Sequence, residues 1–415
     1  MNILLMNSLT KYKLILTAVL LSVSNIQAQN VLGIFSETGF PDLPNDRAME
    51  LHRLEIIDNN LYAASANGIY KYDDVLNGWS QWTLEGYDIL DFKKSGDDIL
   101  AVTVGEIPKY VSAPAVAKII RYNLRTKEIT DIMDSGMGYR DGGMDLTYVM
   151  RIAQHPQNSN KLVAAVYPGI WITEDFGTTW KLIDNQGVYG YNENQFLGWH
   201  PEVPGLLFYT SENGFMQAEI GRSENDGKDW TFILPDPSGD NSVHHLAFDP
   251  SNPGHILYSG EGTIYASFDY GKNWECKYQE DFDNNIVELG YAYNVFFDLS
   301  DPSRVYAVGC KSIDNYINIF CSGDGGETWK KEAQSESFNN YDYWVNESVF
   351  YKNAVYLYTK NGVLKYSPSF YSGLNNIESN QLTESADYYD LKGIKIIKPQ
   401  KGQIYIKEGE KFIFK

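Results

Sequence analysis

Cysteine is scarce in this 415-residue chain, with only Cys276, Cys310 and Cys321. An odd, thinly spread set cannot make a disulfide framework, so the three are expected to be buried as small apolar side chains in a fold held by packing. Arginine is nearly as rare, eight in all, and the formal net charge is −20. The longest apolar run, LILTAVLLSV near the start, is too short to span a bilayer comfortably. No phosphate-cradling glycine loop, nucleophile elbow or zinc-ligand spacing is present. No cofactor and no metal is therefore expected, nor is a transmembrane segment.

The charge deficit is uneven. Residues 390–415 hold seven lysines against Asp390, Glu408 and Glu410. With those and the leading Lys11 and Lys13 set aside, the body carries about −26. Such a body repels phosphate backbones, which excludes nucleic acid as a partner. The lysines at 11 and 13, the short apolar run and a small residue at Ala28 read as an export signal over 1–28. The mature chain is expected in the periplasm, at the cell surface or outside the cell, as a monomer.

Aromatic residues make up 14% of the chain and hydrophobic ones 43%, ample for a large core. Part of that aromatic content is periodic. TEDFGTTW (173–180), SENDGKDW (223–230), SFDYGKNW (267–274) and SGDGGETW (322–329) share one pattern. Their tryptophans, Trp180, Trp230, Trp274 and Trp329, recur every 44 to 55 residues, a period typical of propellers and stacked arrays. Out of phase with it, apolar runs flank turns at Pro156, Pro201, Pro250 and Pro302. Each unit reads as a four-stranded antiparallel sheet whose last hairpin carries the tryptophan. In that hairpin Asp175, Asn225, Asp269 and Asp324 supply turn-closing acceptors. Gly177, Gly227, Gly271 and Gly326 supply a backbone shape other residues resist.

These units resemble the Asp-box repeats of β-propellers in sialidases, xyloglucan-cleaving hydrolases, sortilin-type receptor domains and photosystem-assembly factors. The resemblance implies an all-β propeller over 30–370, in which the twelve corner residues are structural. Degenerate units at 51–84, 89–132 and 343–367 bring the count to seven, with six or eight as neighbouring closures; in the first, the drifted corner is placed around Asp73, Gly78 and Trp82. The early stretch VLGIFSE (31–37) is expected to supply the outer strand of the last blade. Residues 371–415 read as a linker and a small basic β segment. Its Asp390, Leu391, Gly393, Pro399, Gly402, Tyr405, Ile406 and Gly409 resemble the sorting tails of secreted Bacteroidota proteins.

Loops leading from one blade's outer strand into the next blade's inner strand gather at one mouth of a propeller's channel. By repeat phase these are 40–50, 133–148, 184–194, 235–242, 279–293 and 333–344. They are rich in Tyr, Asp, Asn and Gly. Tyr139, Arg140, Tyr148, Tyr189, Tyr191, Tyr291, Tyr343 and Trp344 are candidate ligand contacts, because aromatic faces stack on sugar rings and on partner side chains. Asp141, Asp145, Glu193 and Asp281 are candidates for a carboxylate pair, which glycoside hydrolysis requires. Three function classes follow: a module binding a glycan or protein partner, a glycoside hydrolase, and an assembly scaffold. A sialidase is disfavoured, since only Arg140 and Arg151 lie near the mouth and the negative field opposes an anionic sugar. His244 and His245 are adjacent on a strand and point to opposite faces, so they read as a core and a channel histidine, not a metal pair.

Overall fold

Short apolar runs separated by turn chemistry give strands and, among the described residues, no helix. The computed structural model describes residues 35–41, 52–104, 117–134, 149–166, 169–184, 196–213, 217–233, 243–281, 288–311, 316–336, 345–359 and 362–368. It also describes short pieces at 136–137, 140–141, 144–145 and in the tail. Seven four-stranded antiparallel sheets follow one another along the chain. Their inner strands are Leu54–Ile57, Ile89–Ser95, Val149–His155, Leu197–Trp199, Val243–Phe248, Tyr291–Phe297 and Val345–Tyr351, for blades 1 to 7. Neighbouring blades touch through their inner strands, except that blade 4 meets the inner strand of blade 5 through Leu207–Asn213 and Gln217–Ser223, and the inner strand of blade 7 touches that of blade 1, so the ring is closed. The fold is a seven-bladed β-propeller.

Closure uses the early strand. Phe35–Glu37 pairs with Gly362–Tyr366 of blade 7, Phe35 opposite Tyr366 and Glu37 opposite Leu364. The ends of the ring are thus zipped by a strand from the far end of the chain. Between blades the core mixes aliphatic and aromatic side chains: Leu100, Ile119, Ile152 and Leu162 join blades 2 and 3, Val308, Ile319, Val355 and Leu357 join blades 6 and 7, and Tyr72, Tyr356 and Tyr358 join blades 7 and 1. Each such side chain, fully buried, contributes roughly 1.5–3 kcal/mol.

The tryptophan-bearing corners share one geometry. In blade 5 the Gly271 N–H donates to Ser267 Oγ at 2.8 Å, and Asp269 Oδ1 accepts from the Asn273 N–H at 2.9 Å. Thr173, Ser223 and Ser322 accept from Gly177, Gly227 and Gly326 in the same way. Each glycine has φ between 78° and 97°. A Cβ there would strike the preceding blade: Ile132 for Gly177, Ile183 for Gly227, Phe208 for Gly271 and Leu257 for Gly326. The glycine therefore answers two demands, a left-handed turn and a close approach between blades. Trp180 Nε1 donates to Ile132 O, and Trp230 Nε1 to Ile183 O, across the same seam. The corners also lie at the end of the blade that carries the first hairpin turn: the N–H of Phe176, Asp226, Tyr270 and Gly325 donates to Asn160, Gly205, Gly254 and Ser303 O.

Three local readings are corrected. In blade 1 the indole reaching the neighbouring blade is Trp79, whose Nε1 donates to Thr38 Oγ1 at 2.8 Å, and not Trp82, which packs on Tyr62. In blade 6 the first-turn proline, Pro302, stands where blade 5 has Pro253, not Pro250, because Asp298 and Asp249 accept equivalent turn N–H groups. Cys276 is exposed, because it sits on the solvent edge of an outer strand, while Cys310 and Cys321 are buried. Burial pushes the Cys310 thiol up to about 12.

Residues Ser367–Lys415 form a second compact unit. It holds a four-stranded sheet of Tyr388–Tyr389, Lys395–Ile396, Ile404–Lys407 and Glu410–Ile413.

Candidate functional site

The inner strands do more than close the ring. Five of them break register at one place near their start, between Ile89 and Asp91, Val149 and Arg151, Val243 and His245, Ala292 and Asn294, and Val345 and Glu347. A bulge re-aims the residue that follows it. Those residues, with Arg53 at the matching position of blade 1, are all polar: Arg53, Asp91, Arg151, His245, Asn294 and Glu347. Blade 4 contributes Phe196, whose ring lies edge-on to His245.

Glu347 joins this layer across the axis. Its Oε1 accepts from Asn294 Nδ2 of blade 6 at 2.8 Å, and its Oε2 faces Arg151 Nη1 of blade 3 at 3.4 Å and Arg53 Nη1 of blade 1 at 3.6 Å. Asp91 ties blade 2 to blade 3, accepting from the Ile152 N–H at 3.1 Å as well as from Phe92 N–H. Two residues further along, Lys93 Nζ donates to Glu55 Oε2 at 2.7 Å. Both of these side chains are 26% exposed, so solvent reaches them. Glu347, at 8%, is closed off.

The electrostatics follow from burial and partners. Burial alone would raise the Glu347 carboxyl, but Arg151 and Arg53 overturn that and hold it below its ordinary value. Burial wins at Glu55, which is raised despite Lys93. At Lys93 burial is outweighed by Glu55 and Asp91, and the ammonium is raised. His245 is pushed down to about 4 by burial, with its Nδ1 at 3.0 Å from Val295 O, and His244 is pushed down to about 4 by burial too. Both imidazoles are neutral at neutral pH. Three cations, Arg53, Arg151 and Lys93, then face three carboxylates, Asp91, Glu55 and Glu347. A raised and a lowered carboxyl side by side is the pattern of a hydrolase pair, yet Glu55 is bonded to an ammonium and Glu347 is shut away from substrate. The layer is a self-neutralising plug.

Of the residues singled out by repeat phase, five fall among the described residues. Arg140–Asp141 and Met144–Asp145 form a two-stranded hairpin between blades 2 and 3, in which Asp145 stands opposite Arg140 and Asp141 opposite Met144. Tyr291 opens the inner strand of blade 6, opposite Cys310. Asp281 is exposed just past the outer strand of blade 5. Tyr139, Tyr148, Tyr189, Tyr191, Glu193, Tyr343 and Trp344 lie outside the described residues. Among the described residues no cluster of three or more His, Cys, Asp or Glu is arranged to hold a metal ion, and no helix is long and apolar enough to cross a membrane.

Of the channel residues, Arg53, Asp91, Asn294 and Glu347 were missed by sequence reasoning. Their signal is one polar residue near the start of each apolar inner run, as in LHRLEII, ILDFKKS, VMRIAQH and VNESVFY. It is faint because the residue type changes from one blade to the next, with arginine in blades 1 and 3 and Asp, His, Asn and Glu in blades 2, 5, 6 and 7.

No protein-family model and no curated protein matches the chain. Solved structures do. A GH74 xyloglucanase from Xanthomonas campestris is 16% identical with a TM-score of 0.54, over 74% of this chain and 50% of that one. The chain thus spans about half the length of that enzyme. YCF48 bound to D1 peptide is 14% identical with a TM-score of 0.50, over 84% of this chain and 100% of that one. A chain of the mitotic checkpoint complex is 12% identical with a TM-score of 0.53, over 81% of this chain and 95% of that one. At such identities the likeness establishes the fold alone.

Proposed function

We propose that this chain is an exported binding propeller, which engages a glycan or a protein partner through the tyrosine-rich loops at one mouth of its channel. The observation that supports this reading is the bonded polar layer on the inner strands. Each channel carboxylate is held by a cation, an amide or backbone N–H groups, so the channel offers a rigid floor and no poised acid–base pair. A floor of this kind fixes where the loops emerge, and adaptable recognition from loops on a rigid scaffold is how binding surfaces are commonly built. The overlap with whole single-propeller chains, one solved with a bound peptide, is in keeping with it.

The test is a glycan array and a peptide array probed with the mature protein and with a Tyr189→Ala/Tyr191→Ala variant. Signal on either array that the variant loses supports the reading; signal on neither, or signal indifferent to the variant, contradicts it. A hydrolase is the second reading, favoured by the occurrence of Asp141 and Asp145 on one short hairpin. It predicts sugar release that Asp141→Asn or Asp145→Asn abolishes.

A further inference from the structure

Away from the mouth, on the face that carries the tryptophan corners, a cavity of about 400 Å³ opens between the corners of blades 4 and 5. Arg222, Glu224, Asn225 and Asp229 line it from blade 4, Lys272 lines it from blade 5, and Ile233 adds an apolar wall. Its volume falls in the range of small-molecule sites.

What distinguishes this place is that the repeat is broken here twice. The residue before the corner Ser or Thr is apolar or small in the other copies, Ile172, Ala266 and Cys321, but is Arg222 in blade 4. Arg222 is buried, with Nε donating to Tyr270 O at 2.7 Å and Nη2 to Glu224 Oε1 at 2.7 Å. The second break is an exchange of amide and carboxylate. The other corners place Asp175, Asp269 and Asp324 at the turn, with Thr179, Asn273 and Thr328 four residues on. Blade 4 has Asn225 at the turn and Asp229 four residues on. Asn225 still accepts from the Asp229 N–H at 2.9 Å, so the turn keeps its closing bond. The negative charge has moved outward to the cavity wall. Neither change is needed by the corner, and both fall in the same cavity. Departures from a local rule that coincide in space mark functional places.

The chemistry of the wall selects the ligand. Arg222 and Lys272 balance Glu224 and Asp229, and Glu224 bonds Arg222 and lies 3.2 Å from Lys272. An anion meets two carboxylates and a cation meets two bases, each at a desolvation cost. Hydroxyl groups both donate and accept, so they satisfy carboxylate, amide, guanidinium and ammonium in turn, while Ile233 meets a C–H face. We propose that this rim cavity binds a neutral sugar, independently of whatever the mouth engages.

Isothermal titration of the mature protein with cellotetraose, xylotetraose, mannotetraose and maltotetraose tests this, with glucuronic acid and glucosamine as charged controls. The variant is Asp229→Ala/Lys272→Ala. Both side chains are exposed, and the two backbone N–H groups that close the turns remain, so an unchanged melting temperature is expected. The expected result is binding of at least one neutral tetrasaccharide, weakened tenfold or more by the double variant and unaffected by Tyr189→Ala/Tyr191→Ala. Absence of binding by all four sugars at millimolar concentration overturns the proposal. So does binding that the rim variant leaves intact or the mouth variant removes, or a preference for either charged control.

Discussion

The propeller is tied together in two different ways, at its rim and at its axis. At the rim, the corners of blades 3 to 6 repeat one set of turn hydrogen bonds, and a glycine lies against the preceding blade. At the axis, the inner strands offer a mixed set of residues with no repeated pattern, and Glu347 gathers those of blades 1, 3 and 6. Rim ties are local, so the same eight-residue module serves in each of blades 3 to 6. Axis ties cross the ring, so each must differ from its neighbours to make a neutral set. The rim is thus interchangeable and the axis is unique.

Breaking the axis should cost most. Glu347→Ala leaves Arg53 and Arg151 buried without their carboxylate, and removing one partner of a buried ion pair typically costs about 3–5 kcal/mol. Urea denaturation should report a loss of that size; a loss below about 1 kcal/mol would mean the layer is loosely hydrated and not a tie. Gly227→Ala at the rim comes next. The residue has φ of 79°, and a Cβ would lie 2.4 Å from Ile183 Cδ1. Left-handed strain and overpacking, each about 1–3 kcal/mol, should together cost about 2–4 kcal/mol in the same assay. Ser267→Ala, which strips the buried Gly271 N–H of its acceptor, should cost about 1–3 kcal/mol.

The smallest effect should be in pH dependence. In blades 5 and 6 the first-hairpin turn is capped by Asp249 and Asp298, but in blade 4 by His200, whose Nδ1 accepts from the Glu202 and Val203 N–H groups at 3.1 Å. Its Nε2–H donates to Pro253 O. Burial lowers the His200 pKa, so the folded state holds it neutral while the unfolded chain titrates near 6.5. The stability it contributes is present above that pH and is lost as pH falls below it. His200→Asp should lessen the slope of the stability profile just below about pH 6.5. An unchanged profile contradicts the cap. Below pH 4 the corner carboxylates take over, since hydrogen bonds from Thr179 and Thr173 bring Asp175 down to about 2.

The same contrast explains what was legible in the sequence. Corner residues such as Asp175, Gly177 and Trp180 recur because a local turn needs the same atoms each time, so blade count and strand order could be read from them. Phe35–Glu37 was legible as the closing strand because the last unit lacked one. Arg53, Asp91 and Glu347 were hidden because their partners lie up to 294 residues away in number and follow no repeated residue type. Trp79 was passed over for Trp82 because a drifted corner keeps its packing and loses its spacing.

The most direct measurement of the axis is the titration of the Glu347 carboxyl, followed by carbon NMR on protein labelled at glutamate. Ion pairing across the channel predicts a midpoint below 4.5, the ordinary value for this group, and its loss when Arg151 is replaced by Met. A midpoint above 4.5 would contradict the plug and leave the channel with a protonatable acid of the kind a hydrolase employs.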